Sequence, residues 1–239
     1  MALFETPSKS PVERVRAASG RVASAPGTWV LIGENVDHFG GVTLAGTASL
    51  RAAASVSPRS DGVISVAANG PLGQEFSAQL PYDDQPADGL ARRWWGLVHT
   101  LVQRQVLSRD TAGMDITVES DVPVGAGLGA LYASDAAIAL ALAGSHDDVD
   151  TAPFRARLAE ICSHAVATYS SLPVLRARHS VALRGADGVS VVDYADGSLT
   201  QAPHPSRHGV RVFSVSKELG APFTPVSYTH LRAHETRED

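Results

Sequence analysis

Two stretches of this chain carry residue types that can act on a small molecule. The first, APGTWVLIGENVDHFGG at residues 25–41, passes from a Pro-Gly turn through the apolar run Trp29-Val30-Leu31-Ile32 to Gly33, Glu34, Asn35 and Asp37, and closes on Gly40-Gly41. Two carboxylates and an amide beside a glycine turn are natural partners for hydroxyl groups. The same residues also serve as turn and cap residues in ordinary loops. The second stretch, PVGAGLGA, places Gly125, Gly127 and Gly129 around Ala126 and Leu128, after Pro123 and ahead of an Ala-rich segment. Glycines let backbone approach a ligand and turn N–H groups inward, and a following helix adds its positive end, which suits an anion such as phosphate. Taken alone, the loop is equally well read as a structural turn. Gly125, Gly127 and Ala130 also match a dinucleotide fingerprint, with Asp147 beyond. Pro123 and the polar, then helical, segment after the Ala-rich helix argue against it, because a Rossmann unit needs a buried strand there. No Lys follows the glycines, so a P-loop is excluded.

Other reactive residue types point to less chemistry. The nine histidines are dispersed, and the pair His230 and His234 falls in a C-terminal stretch set aside below, so no metal site is assigned. Cys162 is the only cysteine, which rules out an internal disulfide and fits a reducing cytoplasm. It reads as a small buried hydrophobe on an apolar helix face. A net charge of -5 with scattered arginines gives no basic patch for nucleic acid. No apolar run approaches the roughly 18 residues of a membrane span, so no membrane partner is expected.

The elements that must position these residues are an α+β set. Val12 to Ala18 has helical character. RAAASVSPR and GVISVAANG have the composition of paired strands, with SPRSDG as the turn of a hairpin. In GLARRWWGLVHTLVQRQVL, residues Leu90, Trp94, Leu97, Val98, Leu101 and Val102 recur at helical spacing. A strand from Met114 to Val118 leads to the glycine loop, followed by a helix ending at Gly144 and another from about Thr151 to Val166. GVSVVDYADGSLTQAP and GVRVFSVS read as two further strands. From Val226, VSYTHLRAHETRED lacks periodicity and apolar anchors and reads as a non-native tail.

The two glycine-bearing stretches, in this order, resemble the galactokinase branch of the GHMP small-molecule kinases. That family's motifs run A-P-G-R-V-N-L-I-G-E-H-x-D-Y-x-G-G and P-x-G-A-G-L-S-S-S-A. RRWWGLVHTLV resembles its aromatic-bearing helix, and GMDITVESDVP the strand before its phosphate loop. The resemblance implies a ribosomal-protein-S5-domain-2-like fold, a mixed sheet with helices packed on one face. It places this N-terminal domain at 10–210, the start of a C-terminal domain at 211–225 and the tail at 226–239.

The resemblance also implies site roles. Glu34 and Asp37 match ligands of sugar hydroxyls, with Asn35 where the family has His and Gly40 in the closing turn. Pro123, Gly125, Ala126, Gly127, Leu128 and Gly129 match the ATP phosphate loop. Trp94 or Trp95 borders the adenine or packs in the core. ATP and Mg2+ are the implied cofactors, a sugar and a nucleotide the implied partners, and a monomer the expected state. The departures fall on the chemistry. Thr28 stands for the family's Arg, and an ungapped alignment puts Ala177 at its catalytic Asp. Gly129, Ala130 and Leu131 replace the serines, and Ser134 lies a turn farther on. The implied activity is phosphorylation of galactose or a related sugar at the anomeric hydroxyl, impaired in this chain. The alternative is a silent sugar- or nucleotide-binding regulator or a degenerate remnant.

Overall fold

A 17-residue strand, β2 (Val42–Pro58), organises the sheet in the computed structural model. The structure describes residues 9–16, 20–34, 36–69, 76–81, 85–87, 89–111, 113–172, 174–186 and 188–211. β1 (Arg21–Ile32) runs antiparallel along one edge of β2, with register shifts at Pro26/Thr28 and Val30/Ile32. Proline has no N–H for a ladder, and a bulge there turns neighbouring groups outward. The consequence is that the Thr28 N–H donates to Leu128 O, at 2.8 Å, tying β1 to the glycine loop.

The other edge of β2 carries two strands. β5 (Met114–Ser120) pairs with residues 52–58 and β6 (Val189–Asp193) with residues 42–46, both antiparallel. Beyond β5 lies β3 (Val63–Asn69), parallel to it, and then β4 (Phe76–Pro81). β7 (Leu199–Ala202) pairs with β6. The sheet is therefore mixed, in the order β4-β3-β5-β2-β6-β7, with β1 on β2.

This topology corrects the expected hairpin, because β2 and β3 are consecutive but not paired. β5 takes the place between them. Its alternation of buried Met114, Ile116 and Val118 with half-buried Asp115, Thr117 and Glu119 suits a central strand with one covered face. Arg59, in the expected turn, reaches Asp115 of β5 at 2.7 Å as well as Asp61 at 2.5 Å, so the connection is fastened to the inserted strand. The segment GVSVVDYADGSLTQAP forms two strands joined in a hairpin, β6 and β7, where one was expected. Residues 209–211 of the expected GVRVFSVS strand follow a 3-10 turn at Pro205–His208 and are not in a strand, and from residue 212 the segment lies outside the described residues, as do the expected tail and most of the expected second-domain start.

The helices are α1 (Pro11–Val15), α2 (Gly89–Gln103), α3 (Ala130–Ala143), α4 (Ala152–Tyr169) and α5 (Arg176–Arg184). α3 is buried nearly all round, since its alanines let it lie close on β1 and β2. Pro153 and the Thr151 cap start α4. α5 carries no regular apolar repeat, and it is the helix that the sequence pattern did not mark.

Candidate functional site

β1 delivers the first loop. Gly33 has φ +83°, and a Cβ there would lie 2.3 Å from Val42 O, so the turn out of β1 requires glycine. A 3-10 turn, Asp37–Phe39, ends at Gly40 with φ +66°. Val36 O accepts the N–H groups of Phe39 and Gly41, and the Thr43 hydroxyl donates to Gly33 O at 2.5 Å. The loop is thus held by its own backbone, leaving Glu34 half exposed and Asp37 partly so. Asn35 lies outside the described residues. Gly40 faces Ala195, whose neighbour Tyr194 donates its N–H to Gly41 O.

The second loop docks beside it. Gly125, Gly127 and Gly129 all have positive φ, at 79°, 72° and 66°. Space is open where side chains at 125 and 127 would project, whereas a Cβ at 129 would meet Thr28 Oγ1 at 2.8 Å. Leu128 is buried with Val122, Ala130 and Ala133, and half-buried Ala126 packs against them. Pro123 is half-buried at the loop's start. α3 begins with no side-chain cap, so its first N–H groups remain available to an anion.

α5 closes the third side. Ala177 is buried, and its N–H donates to the Tyr194 hydroxyl at 3.0 Å. Burial raises that phenol above its usual pKa, against opposing hydrogen bonds from Thr43 and Ala177 N–H. A polar chain therefore links α5 through Tyr194 and Thr43 to Gly33 of the first loop. The next residue, Arg178, donates from Nη1 to Thr28 O at 2.6 Å and to Gly127 O at 3.0 Å. Its Nη2 lies 3.9 Å from a Glu34 oxygen.

Arg178 is the residue that sequence reasoning missed. Thr28 is wholly buried and uncharged, as its type dictates. Thr28 itself supplies no charge, and α5 brings the Arg178 guanidinium onto its carbonyl. The available signal was its adjacency to Ala177.

A buried network fixes α5. Asp135 of α3 accepts from Arg93 Nε at 3.0 Å and Nη2 at 2.5 Å, from Trp94 Nε1 at 3.1 Å and from His179 Nε2 at 3.1 Å. Burial alone would raise this carboxyl, but the charge of Arg93 and the hydrogen bonds from His179 and Arg93 hold it at about 2. His179 Nδ1 pairs with the Ser163 hydroxyl at 3.0 Å, and burial pushes the imidazole below its usual pKa. The ring is neutral, donating from Nε2 and accepting at Nδ1. Three helices, α2, α3 and α5, meet on one carboxylate, and α4 joins through Ser163 on His179, one residue from Arg178.

Other candidates sort plainly. Trp94 is fully buried on Asp135, and Trp95 is buried and stacks on His99 at 3.7 Å, so both serve the core. The Ser134 hydroxyl is buried and donates to Ala130 O. Cys162 is buried, with its thiol pushed well up by burial. Among the described residues no group of three or more His, Cys, Asp or Glu side chains is placed to hold a metal, and no helix is long and apolar enough to cross a membrane.

A mixed sheet with helices packed against it and a glycine loop clamped to the first strand is the fold of the N-terminal domain of the GHMP kinases. Superposition bears this out. Galactokinase of Lactococcus lactis, solved in complex with galactose, matches with a TM-score of 0.62 at 15% identity, over 80% of this chain and 50% of that one. Mevalonate kinase of Methanococcus jannaschii matches at 0.61 and 13% identity, over 80% and 58%. The galactokinase galactose-binding signature matches residues 12–58, which include the whole first loop. Galactokinase of Chloroflexus aurantiacus is 30% identical over 120 residues, 49% of this chain and 30% of that protein. The chain thus shares the galactose-binding signature over residues 12–58 and the N-terminal fold of the GHMP kinases, and it is similar to the galactokinase branch. It spans about a third to a half of the length of these galactokinases.

Proposed function

We propose that this chain is the sugar- and nucleotide-binding portion of a galactokinase-type cytoplasmic protein in which phosphoryl transfer is impaired. Galactose or a related sugar binds at Glu34, Asn35, Asp37 and Gly40, and the phosphates of ATP bind at the loop from Pro123 to Gly129. The observation that carries this reading is the meeting of the two loops. The Thr28 N–H bond to Leu128 O, with Arg178 bonded to both Thr28 and Gly127, sets a hydroxyl-binding turn beside an anion-binding one.

The residues fit phosphate, since positive-φ glycines leave open space above the loop and the start of α3 is uncapped. They do not fit Mg2+, because Leu131 has no hydroxyl and that of Ser134 is spent on Ala130 O. No step through a metal is therefore derived. Ala177 offers no group to take the sugar's proton. A positioned general base is worth roughly 10²- to 10⁴-fold, and kinases run at about 1–100 per second, so its loss alone leaves little turnover.

Thermal-shift titration with galactose tests the binding half of this reading. A ligand that binds only the folded state raises stability with its concentration. Galactose is expected to raise the melting temperature of the parent, and Glu34→Ala or Asp37→Ala to abolish the effect. A parent indifferent to galactose overturns sugar binding and leaves the remnant reading. An unchanged response in both variants moves the sugar elsewhere.

A further inference from the structure

The two buried arginines among the described residues are surrounded differently. Arg93 meets Asp135 through two nitrogens and is neutralised in place. Arg178 is only 7% exposed, yet its hydrogen bonds are to Thr28 O and Gly127 O, with a long contact to Thr28 Oγ1 at 3.5 Å. Its nearest carboxylate oxygen, on half-exposed Glu34, is 3.9 Å away, beyond hydrogen-bond reach. Among the described residues, Nε and Nη2 make no hydrogen bond. Burial accordingly pushes the guanidinium below the usual arginine pKa, with Tyr132 and Glu34 only partly opposing.

A buried cation with unspent donors is costly unless an anion completes it. The carbonyls of Thr28 and Gly127 fix one edge of the planar fork, and the uncapped start of α3 and the open space at Gly125 and Gly127 lie beside it. We propose that Arg178 is a phosphate-binding residue of this site, its free donors taking a phosphoryl oxygen of a polyphosphate seated on the glycine loop. The inference rests on the reading of that loop as a nucleotide-phosphate site. It adds that the site's positive charge is carried by α5, and not by β1. A guanidinium suits this task because its donors lie in one plane, so some brace the loops while others face the ligand.

Inorganic tripolyphosphate and ATP, titrated by thermal shift and calorimetry against the chain as it stands, provide the test. Arg178→Gln keeps an amide donor for one carbonyl and removes the charge. It is expected to weaken both ligands about 10- to 100-fold, the range of a hydrogen bond to a charged group. Thr28→Arg combined with Arg178→Gln returns a guanidinium from β1 and is expected to recover most of that loss, which restoring a mere brace would not do. If Arg178→Gln binds tripolyphosphate like the parent, Arg178 only braces the loops and the proposal falls alone. If the parent binds neither ligand, the loop reading falls and takes the proposal with it. Should Arg178→Gln not fold, ¹⁵N spectroscopy of the parent decides. The Nε–H signal missing in Arg178→Lys is expected to shift on adding tripolyphosphate, and an unmoved signal refutes the role.

Discussion

Thr28 shows how far one residue type can mislead. Its letter says that a charge is missing, while its surroundings say that a charge is present 2.6 Å from its carbonyl. An arginine introduced at 28 therefore restores nothing in the parent. It enters a wholly buried position against a second guanidinium and the closely packed Gly129. Thr28→Arg is expected to destabilise the chain by about 2–4 kcal/mol in urea unfolding, from overpacking and an uncompensated buried charge. The cost should shrink in the Arg178→Gln background, because contacting residues couple. Equal costs in the two backgrounds would mean that the side chains do not compete. Glu34 and Asp37 were legible from sequence because their loop is local, framed by glycines whose geometry stands in the letters. Arg178 was not, since its role depends on a helix that brings it onto two distant loops.

That helix is itself the clearest gap between pattern and structure. α2 and α3 announced themselves by periodicity and an Ala-rich run, and α4 was read from about Thr151 to Val166. α5, Arg176–Arg184, reads RARHSVALR and has no apolar stripe to find. Its His179 is buried because Asp135 of α3 and Ser163 of α4 complete the imidazole, and neither partner is near in sequence. The missed β3–β5 pairing has the same cause, a partner that arrives late in the chain.

The network's charge state makes a prediction at this scale. His179 is neutral in the fold and titrates near 6.5 when unfolded, so below that pH the unfolded chain takes up a proton that the fold refuses. Stability must fall as pH drops below about 6.5. Asp135, held at about 2 against 3.8 unfolded, adds a second fall of roughly 2 kcal/mol between those values. Urea midpoints are expected to decline from pH 7 to pH 5 in the parent, and His179→Gln should flatten that limb. An equally steep limb in the variant would place the titrating group elsewhere. Asp135→Asn strands Arg93 and should cost about 3–5 kcal/mol at pH 7.

For the whole molecule, the question is whether binding amounts to catalysis. The chain spans 50% of the Lactococcus galactokinase and 30% of the Chloroflexus protein. Because Ala177 offers no proton acceptor and Leu131 no hydroxyl, we expect no galactose-dependent ATP turnover above background. Ala177→Asp alone should not change this, and it sets a carboxylate at a buried position beside Ala45, Val181 and Val192, at a cost in stability. Position 177 lies in the first turn of α5, which has no side-chain cap, and the helix dipole offsets part of that cost. The smallest variant in which we expect sugar phosphorylation combines Ala177→Asp with Leu131→Ser in a chain joined to a galactokinase C-terminal half. Thr28 stays as threonine, because Arg178 already fills its neighbourhood. Mass spectrometry of galactose 1-phosphate, followed against protein concentration, gives the readout. Product from the unmodified chain would end the impaired reading and require a proton acceptor other than residue 177. Absence of product from the combined variant, with galactose and tripolyphosphate both bound, would show that the metal side of the site needs more than one hydroxyl.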